Sequence, residues 1–178
     1  MAGQVTRNLF APPGVEVVRR SDGTQLARSP ELLGTYSRCV GEWLVHWAER
    51  SPDTVWLAER EGAGWNRLTY ANALPQVLRL AGWMLRSGLG PDRPLMLLSD
   101  NSIDHALLSV AAMHVGVPVV PVSPAYSLMS KDFGKLKAIL ASVGPGAIHA
   151  APAQRYATAL AAIQDCHDAI LVLDDLNL

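Results

Sequence analysis

The spacing of apolar residues changes character several times along the chain of 178 residues. Near the start, VEVVRRSDGTQLAR sets two short extended runs on either side of Ser21, Asp22 and Gly23, and Asp-Gly between such runs predicts a hairpin. From Cys39 to Glu49 the apolar residues Val40, Trp43, Leu44 and Trp47 recur at helical spacing, with Ser51 and Pro52 as the stop. The tryptophan stripe of that helix reads as core. TVWLAEREGAGWNRLTY predicts two strands joined around Gly62 and Gly64. Thr69 is expected to cap a second helix whose apolar face is Leu74, Val77, Leu78, Ala81 and Leu85, with a bend at Pro75 and an end at Gly88 and Pro91.

From Pro94 onward the rhythm is strand, helix, strand, helix. PLMLLSD predicts a short apolar strand, NSIDHALLSVAAMHVG a helix with Ile103, Ala106, Leu107, Val110 and Ala111 on one face, and VPVVPVS the next strand. A helix from about Lys131 to Ser142, a strand at Ala147 to Ala150, a helix from about Ala153 to Asp165 and a strand at Ala169 to Asp174 complete the series. Four apolar strands separated by three helices predict an α/β fold: an N-terminal hairpin and helices, then a parallel, right-handed β-α-β-α-β-α-β sheet. The expected organisation is an extension with the hairpin over 1–36, helices and short strands over 37–92, and the parallel unit over 93–178.

Within VGVPVVPVSPAYS, Pro118, Pro121 and Pro124 recur at every third residue, so this valine-rich run suits the edge of a sheet better than its middle. VSPAYS then falls at the carboxyl end of the second parallel strand, where a binding loop is expected.

Charge removes one class of partner. Lys+Arg number 15 and Asp+Glu 16, a balance that lacks the basic footprint of a nucleic-acid binder. The oily stretch Ala106 to Val122 is broken by His114, Gly116 and two prolines and falls short of the roughly 20 residues of a membrane span. MAGQVTRNLFAPPG has no signal-peptide core, so a cytoplasmic protein with neither nucleic acid nor membrane as partner is expected. Cys39 and Cys166 read as free thiols. At 49% hydrophobic residues and a mean hydropathy of +0.15, the chain carries more apolar character than a small soluble domain needs, and some of that surface expects a partner.

Chemistry is sparse. The first parallel strand is followed by SDNS, with Asp100 where an anion would have to sit, and the chain contains neither GxGxxG nor GxxxxGK[ST]. Gly144 and Gly146 precede a strand and read as a turn. His105 and His114 are nine residues apart, on opposite faces of one helix, and cannot ligate one metal. Asp165, Cys166, His167 and Asp168 crowd together without a second group to complete a metal site. All three lysines, Lys131, Lys135 and Lys137, lie in SKDFGKLK; the first two are expected on one helix face, where they could attract a phosphorylated ligand or simply form a solvated surface. No serine, histidine and acid form a recognisable triad.

WNRLTYANAL resembles the early L-T-Y motif of the adenylate-forming superfamily of acyl- and aryl-CoA synthetases. GLGPDRPLMLLSDN resembles the family's G-hydrophobic-x-x-G-D-R-V strand entry, and AAMHVGVPVVPVSPAYS its A-x-x-x-x-G-A-hydrophobic-x-x-P segment. TYSRCVGEWLVHWAERSPD and VSPAYSLMSKDFGKL are more narrowly similar to bacterial feruloyl-CoA synthases.

The resemblance implies a ligase that joins an aromatic carboxylate such as ferulate to AMP, releases pyrophosphate, and passes the acyl group to CoA, using ATP, CoA and Mg2+. It also implies that residues 1–178 are an incomplete N-terminal domain. The family's Ser/Thr/Gly-rich phosphate loop, its later acidic motifs and its C-terminal catalytic lysine have no counterpart here, so none of these cofactors is expected to bind tightly to this segment and no residue is assigned a catalytic or metal-binding role. By the same analogy Ser123, Pro124, Ala125 and Tyr126 are expected to line the CoA tunnel. The partner of the apolar surface is then the remainder of the enzyme or another apolar surface, and the chain alone is expected to be marginally stable or aggregation-prone. Two readings compete: a truncated, non-catalytic α/β interaction or binding module, and a receiver- or flavodoxin-like domain, which the preceding hairpin and helices do not suit.

Overall fold

A computed structural model describes residues 14–174 and 176. The signal-peptide reading and the first part of the 1–36 extension, Pro12 and Pro13 included, lie outside the described residues. The chain divides into two compact units, Met1–Tyr36 and Ser37–Leu178. In the first, β1 (Glu16–Arg19) pairs antiparallel with β2 (Gln25–Arg28). Asp22 accepts the Thr24 N–H at 2.9 Å, and Gly23 takes the positive φ that the turn requires.

The second unit opens with α1 (Val40–Arg50), followed by the antiparallel pair β3 (Val55–Glu61) and β4 (Gly64–Thr69). Thr69 caps α2 (Tyr70–Arg86) by accepting the Asn72 N–H at 3.3 Å, and the helix continues unbroken through Pro75. Then follow β5 (Leu95–Ser99), α3 (Ile103–Val115), β6 (Val119–Pro121), α4 (Pro124–Leu128), α5 (Gly134–Val143), β7 (Ala147–Ala151), α6 (Ala153–Ile163) and β8 (Ile170–Leu173).

The last four strands form one parallel sheet in the order β6-β5-β7-β8, so the α/β architecture is as the spacing predicts. Side chains alternate across β5. Leu95 and Leu97 join a core built with α1, α2 and α3, while Met96 and Leu98 join a second core with α5 and α6. Helices therefore cover both faces, as a parallel sheet demands.

The edge position of β6 accounts for its prolines. The Pro118 carbonyl accepts from Leu95 N–H at 2.9 Å and Val122 N–H donates to the Leu97 carbonyl at 3.0 Å, so even-numbered residues face β5. Pro121 has the opposite parity, and its missing N–H points away from the ladder.

Four expectations are corrected. The α1 stripe is not core: Leu44 is buried, but Trp43 is 60% and Trp47 42% exposed. The buried face of α2 is Ala73, Val77, Leu80, Ala81 and Met84, leaving Leu78 and Leu85 exposed, because the stripe with small residues is the one α3 packs against. The segment after β6 is not a loop. Pro124 takes the first helical position, where its lack of an N–H costs nothing, and starts the short helix α4. Finally α5 begins at Gly134 rather than Lys131. Ser130 accepts the Phe133 N–H at 2.9 Å and Asp132 the Gly134 N–H at 3.1 Å, holding the preceding turn out of the helix. Lys131 and Lys135 therefore do not share a helix face.

Candidate functional site

Ligands of parallel sheets collect beyond the strands' carboxyl ends, where helix N-termini present unpaired N–H groups. Here those N-termini are occupied by the chain's own acids. At α3, Ser102 accepts the His105 N–H at 3.0 Å, and the Glu59 carboxylate, reaching over from β3, accepts the Ile103 N–H at 2.8 Å. At α6, the Asp174 carboxylate accepts the Ala153 N–H at 2.6 Å. At α5, Asp132 accepts from Gly134, and that N–H followed by the Ser130 hydroxyl holds its carboxyl below the usual range. The backbone N–H groups that would otherwise receive a phosphate are thus already engaged at all three, so an anion there would need a side-chain cation.

The strand order reverses between β5 and β7, because the chain steps from β5 to β6 on one side and returns to β7 on the other. Such a switch point is the usual ligand crevice. It holds Asp100, at the end of β5, in an ion pair with Arg155 on α6. Asp100 thus does sit where an anion would, and it engages the cation there.

Beneath this edge lies a buried polar group. Ser99 Oγ is 2.8 Å from His105 Nδ1, and in register with Leu97 the buried His149 sets Nδ1 3.1 Å from the Val172 carbonyl. Ser99 is too buried to meet a substrate, so the Ser99–His105 pair closes the end of β5 rather than forming a nucleophile and base. Burial lowers the affinity of both histidines for protons; for His149 the neighbouring His105 adds to this, while the Val172 bond opposes it.

A folded-state pKa below the unfolded value near 6.5 means that the unfolded chain protonates first. Stability is therefore expected to be complete above about pH 6.5 and to decline as pH falls toward the folded-state values. Urea midpoints between pH 8 and pH 5 check this; a flat profile would contradict the neutral, buried assignment.

The residues expected to line a tunnel stand at the end of β6. Ser123 occupies the N-cap position of α4 without a side-chain cap, and Pro124, Ala125 and Tyr126 form its first turn. Ala125 and Tyr126 border an open cavity of about 480 Å³, shared with Met129, Asp132 and Lys135; Ser123 and Pro124 do not line it. The Lys135 ammonium stands over the Tyr126 ring, 5.1 Å from its centroid. The sequence shows both residues but not their pairing, which depends on where α5 starts.

The remaining candidates stay apart. His114 packs against α1 at Gly41, away from the Ser99–His105 pair, and Gly144 ends α5 in the left-handed conformation of a turn. His167 Nδ1 accepts the Ala169 N–H at 3.1 Å, and Cys39 and Cys166 are free thiols. Among the described residues no three His, Cys, Asp or Glu side chains converge as metal ligands, and no helix is long and apolar enough to cross a membrane.

A family profile described as "AMP-binding enzyme" matches residues 44–177. Over 93 residues, 51% of this chain and 2% of the relative, the chain is 28% identical to a linear gramicidin synthase of Brevibacillus parabrevis. The fatty acyl-adenylate ligase of L. pneumophila, solved with acyl adenylate and pyrophosphate, superposes with a TM-score of 0.63 at 14% identity, covering 79% of this chain and 24% of that one. The N-terminal domain of FACL13 from Mycobacterium tuberculosis gives 0.60 at 22% identity, covering 76% and 34%. The chain thus spans about a third or less of the length of these proteins.

Proposed function

Because the chain belongs to the AMP-binding enzyme family, we propose that it forms the N-terminal part of an ATP-dependent acid–thiol ligase, one that activates an aromatic carboxylate of the hydroxycinnamate type as its acyl-AMP and transfers the acyl group to CoA. The family match over residues 44–177 carries this reading, and the likeness of TYSRCVGEWLVHWAERSPD and VSPAYSLMSKDFGKL to feruloyl-CoA synthases supports its aromatic substrate. In the proposed organisation, residues 1–36 are an extension, 37–92 the helices and short strands, and 93–178 the parallel unit of an incomplete N-terminal domain.

The described residues do not fit the triphosphate of ATP with its magnesium ion. Glu59, Asp132 and Asp174 already cap the helix N-termini that would receive phosphate, and Asp100 holds Arg155. The segment's part in the reaction is accordingly structural at the phosphate end, and no chemical step is assigned to its side chains. Its contribution to binding is the wall formed by Ser123, Pro124, Ala125 and Tyr126, which would flank the path of CoA.

The test uses the full product of the gene encoding this chain. Ferulate-dependent ATP–pyrophosphate exchange followed by thioester formation with CoA is the expected result; exchange driven by fatty acids and not by ferulate would overturn the aromatic assignment. Changing Ser123 and Tyr126 is expected to raise the apparent KM for CoA while leaving pyrophosphate exchange unaltered, and an unchanged KM would defeat the tunnel-wall role.

A second reading is favoured by the groove of about 640 Å³ between α6 and β8, bordered by Ala157, Leu160 and Leu171, with Ile170 and Leu171 exposed. A non-catalytic interaction module would bury that surface. It predicts a stable oligomer of this chain alone, whereas the ligase reading predicts that the surface is covered within one longer polypeptide.

A further inference from the structure

Of the cations near the carboxyl edge of the parallel sheet, Arg155 is committed to Asp100, and the helix N-termini there are covered by Glu59, Asp132 and Asp174. The edge is therefore closed to anions almost everywhere. It is open at one place, the cavity beside α4, where Lys135 makes no ion pair among the described residues.

The neighbouring acid does not quench this lysine. Asp132 lines the same cavity, but its Oδ1 accepts the Gly134 N–H and the Ser130 hydroxyl at 3.1 Å each, and the charge that most stabilises its carboxylate through space is that of Lys137. Lys135 instead lies over the Tyr126 ring, which fixes a long side chain at the cavity rim before any ligand arrives. All three lysines of the chain lie between positions 131 and 137, while its twelve arginines lie elsewhere. A cavity of about 480 Å³ is large enough for a nucleotide-sized group.

We infer that Lys135, positioned by the Tyr126 ring, binds a phosphate of the nucleotide head of the thiol substrate, in the cavity between α4 and the start of α5. The ammonium supplies a point charge, Ala125 keeps the cavity floor low enough for the group to enter, and Tyr126 acts through Lys135 as a positioning residue. The inference rests on the tunnel-wall reading of Ser123–Tyr126 and adds to it the residue that reads charge and the part of the ligand that is read.

The experiment measures binding of adenosine 3′,5′-bisphosphate to the full product of the gene encoding this chain by isothermal titration at two salt concentrations, with adenosine as the uncharged control. Binding that weakens with salt is expected, with no binding of adenosine. Lys135→Gln is expected to lower affinity about tenfold, Lys135→Arg to keep most of it, and Tyr126→Leu, which removes the ring under the ammonium, to lower it by less than Lys135→Gln. Lys135 is exposed, so circular dichroism should show these variants folded like the parent.

Ala125→Glu, which puts a carboxylate into the same cavity, separates the lysine's role from that of the wall. If Lys135→Gln binds like the parent while Ala125→Glu does not, the lysine's role is overturned and the tunnel wall stands. If the bisphosphate does not bind, or if no variant changes its affinity, both fall.

Discussion

Shortening Leu97 or Leu98 to alanine is expected to remove about 2–5 kcal/mol of folding stability at either site. Both leucines are fully buried on β5, one of the two central strands of the sheet. Each loses the transfer energy of its methyl groups and leaves a void that a close-packed interior fills only in part. The informative quantity is the double variant. Leu97 belongs to the core shared with α1, α2 and α3 and Leu98 to the core shared with α5 and α6, so these adjacent residues share no core. Their losses should add to within about 0.5 kcal/mol in urea denaturation, as they do for independent sites. A coupling beyond about 1 kcal/mol would show that the two cores repack together across the sheet. Domain stabilities of about 5–15 kcal/mol also mean that the double variant would be close to unfolded.

The second large effect concerns Gly41, which is buried in the first turn of α1. A Cβ placed there would lie 2.7 Å from His114 Cγ and 2.8 Å from His114 Cβ, both nearer than such atoms approach. Rotating the imidazole does not relieve the second clash, because Cβ is fixed to the backbone of α3. Alanine in a helix is favoured over glycine by about 1 kcal/mol, but overpacking costs about 1–3 kcal/mol or more, so Gly41→Ala is expected to destabilise despite its better propensity. The companion His114→Gly removes the offending atoms. In the double variant, Gly41→Ala should become neutral or stabilising, and a cost that persists would place its origin elsewhere.

The parallel unit was legible because each of its strands is a short apolar block between turn residues, and because the hydrophobic period changes sharply at Pro94. The hairpin at Asp22-Gly23 and the cap at Thr69 rest on local hydrogen bonds that the sequence displays directly. What failed was rotational. α2 has apolar residues on more than one stripe, and periodicity cannot say that α3 packs on the side carrying Ala73, Ala81 and Met84 rather than on Leu78 and Leu85. The α1 stripe failed for a related reason, since Val40, Trp43 and Trp47 lie beyond the reach of the core that buries Leu44.

At the candidate site, the position of Ser123–Tyr126 at the carboxyl end of β6 was readable, whereas their helical state was not. A run of valines and prolines suggests extended chain, and only the turn geometry after Pro121 converts Pro124 into a helix start. Two of the three carboxylate caps were also hidden. Glu59 lies 44 residues from Ile103 and Asp174 lies 21 from Ala153, separations at which no local pattern survives. The Lys135–Tyr126 pair is legible in part, since both residues stand in one short segment, but their approach depends on the Ser130–Asp132 turn.

The proline-bearing edge has a consequence for synthesis on the ribosome. β5 and β6 emerge first and pair, and β7 and β8 are then added in order on the opposite side of β5. With Pro121 turned outward from β6, the first-made margin offers a broken row of donors to a strand from a neighbouring nascent chain. Growth is therefore directed away from β6: the next strand, β7, docks on β5 rather than on the strand made just before it, and β8 then extends that same side.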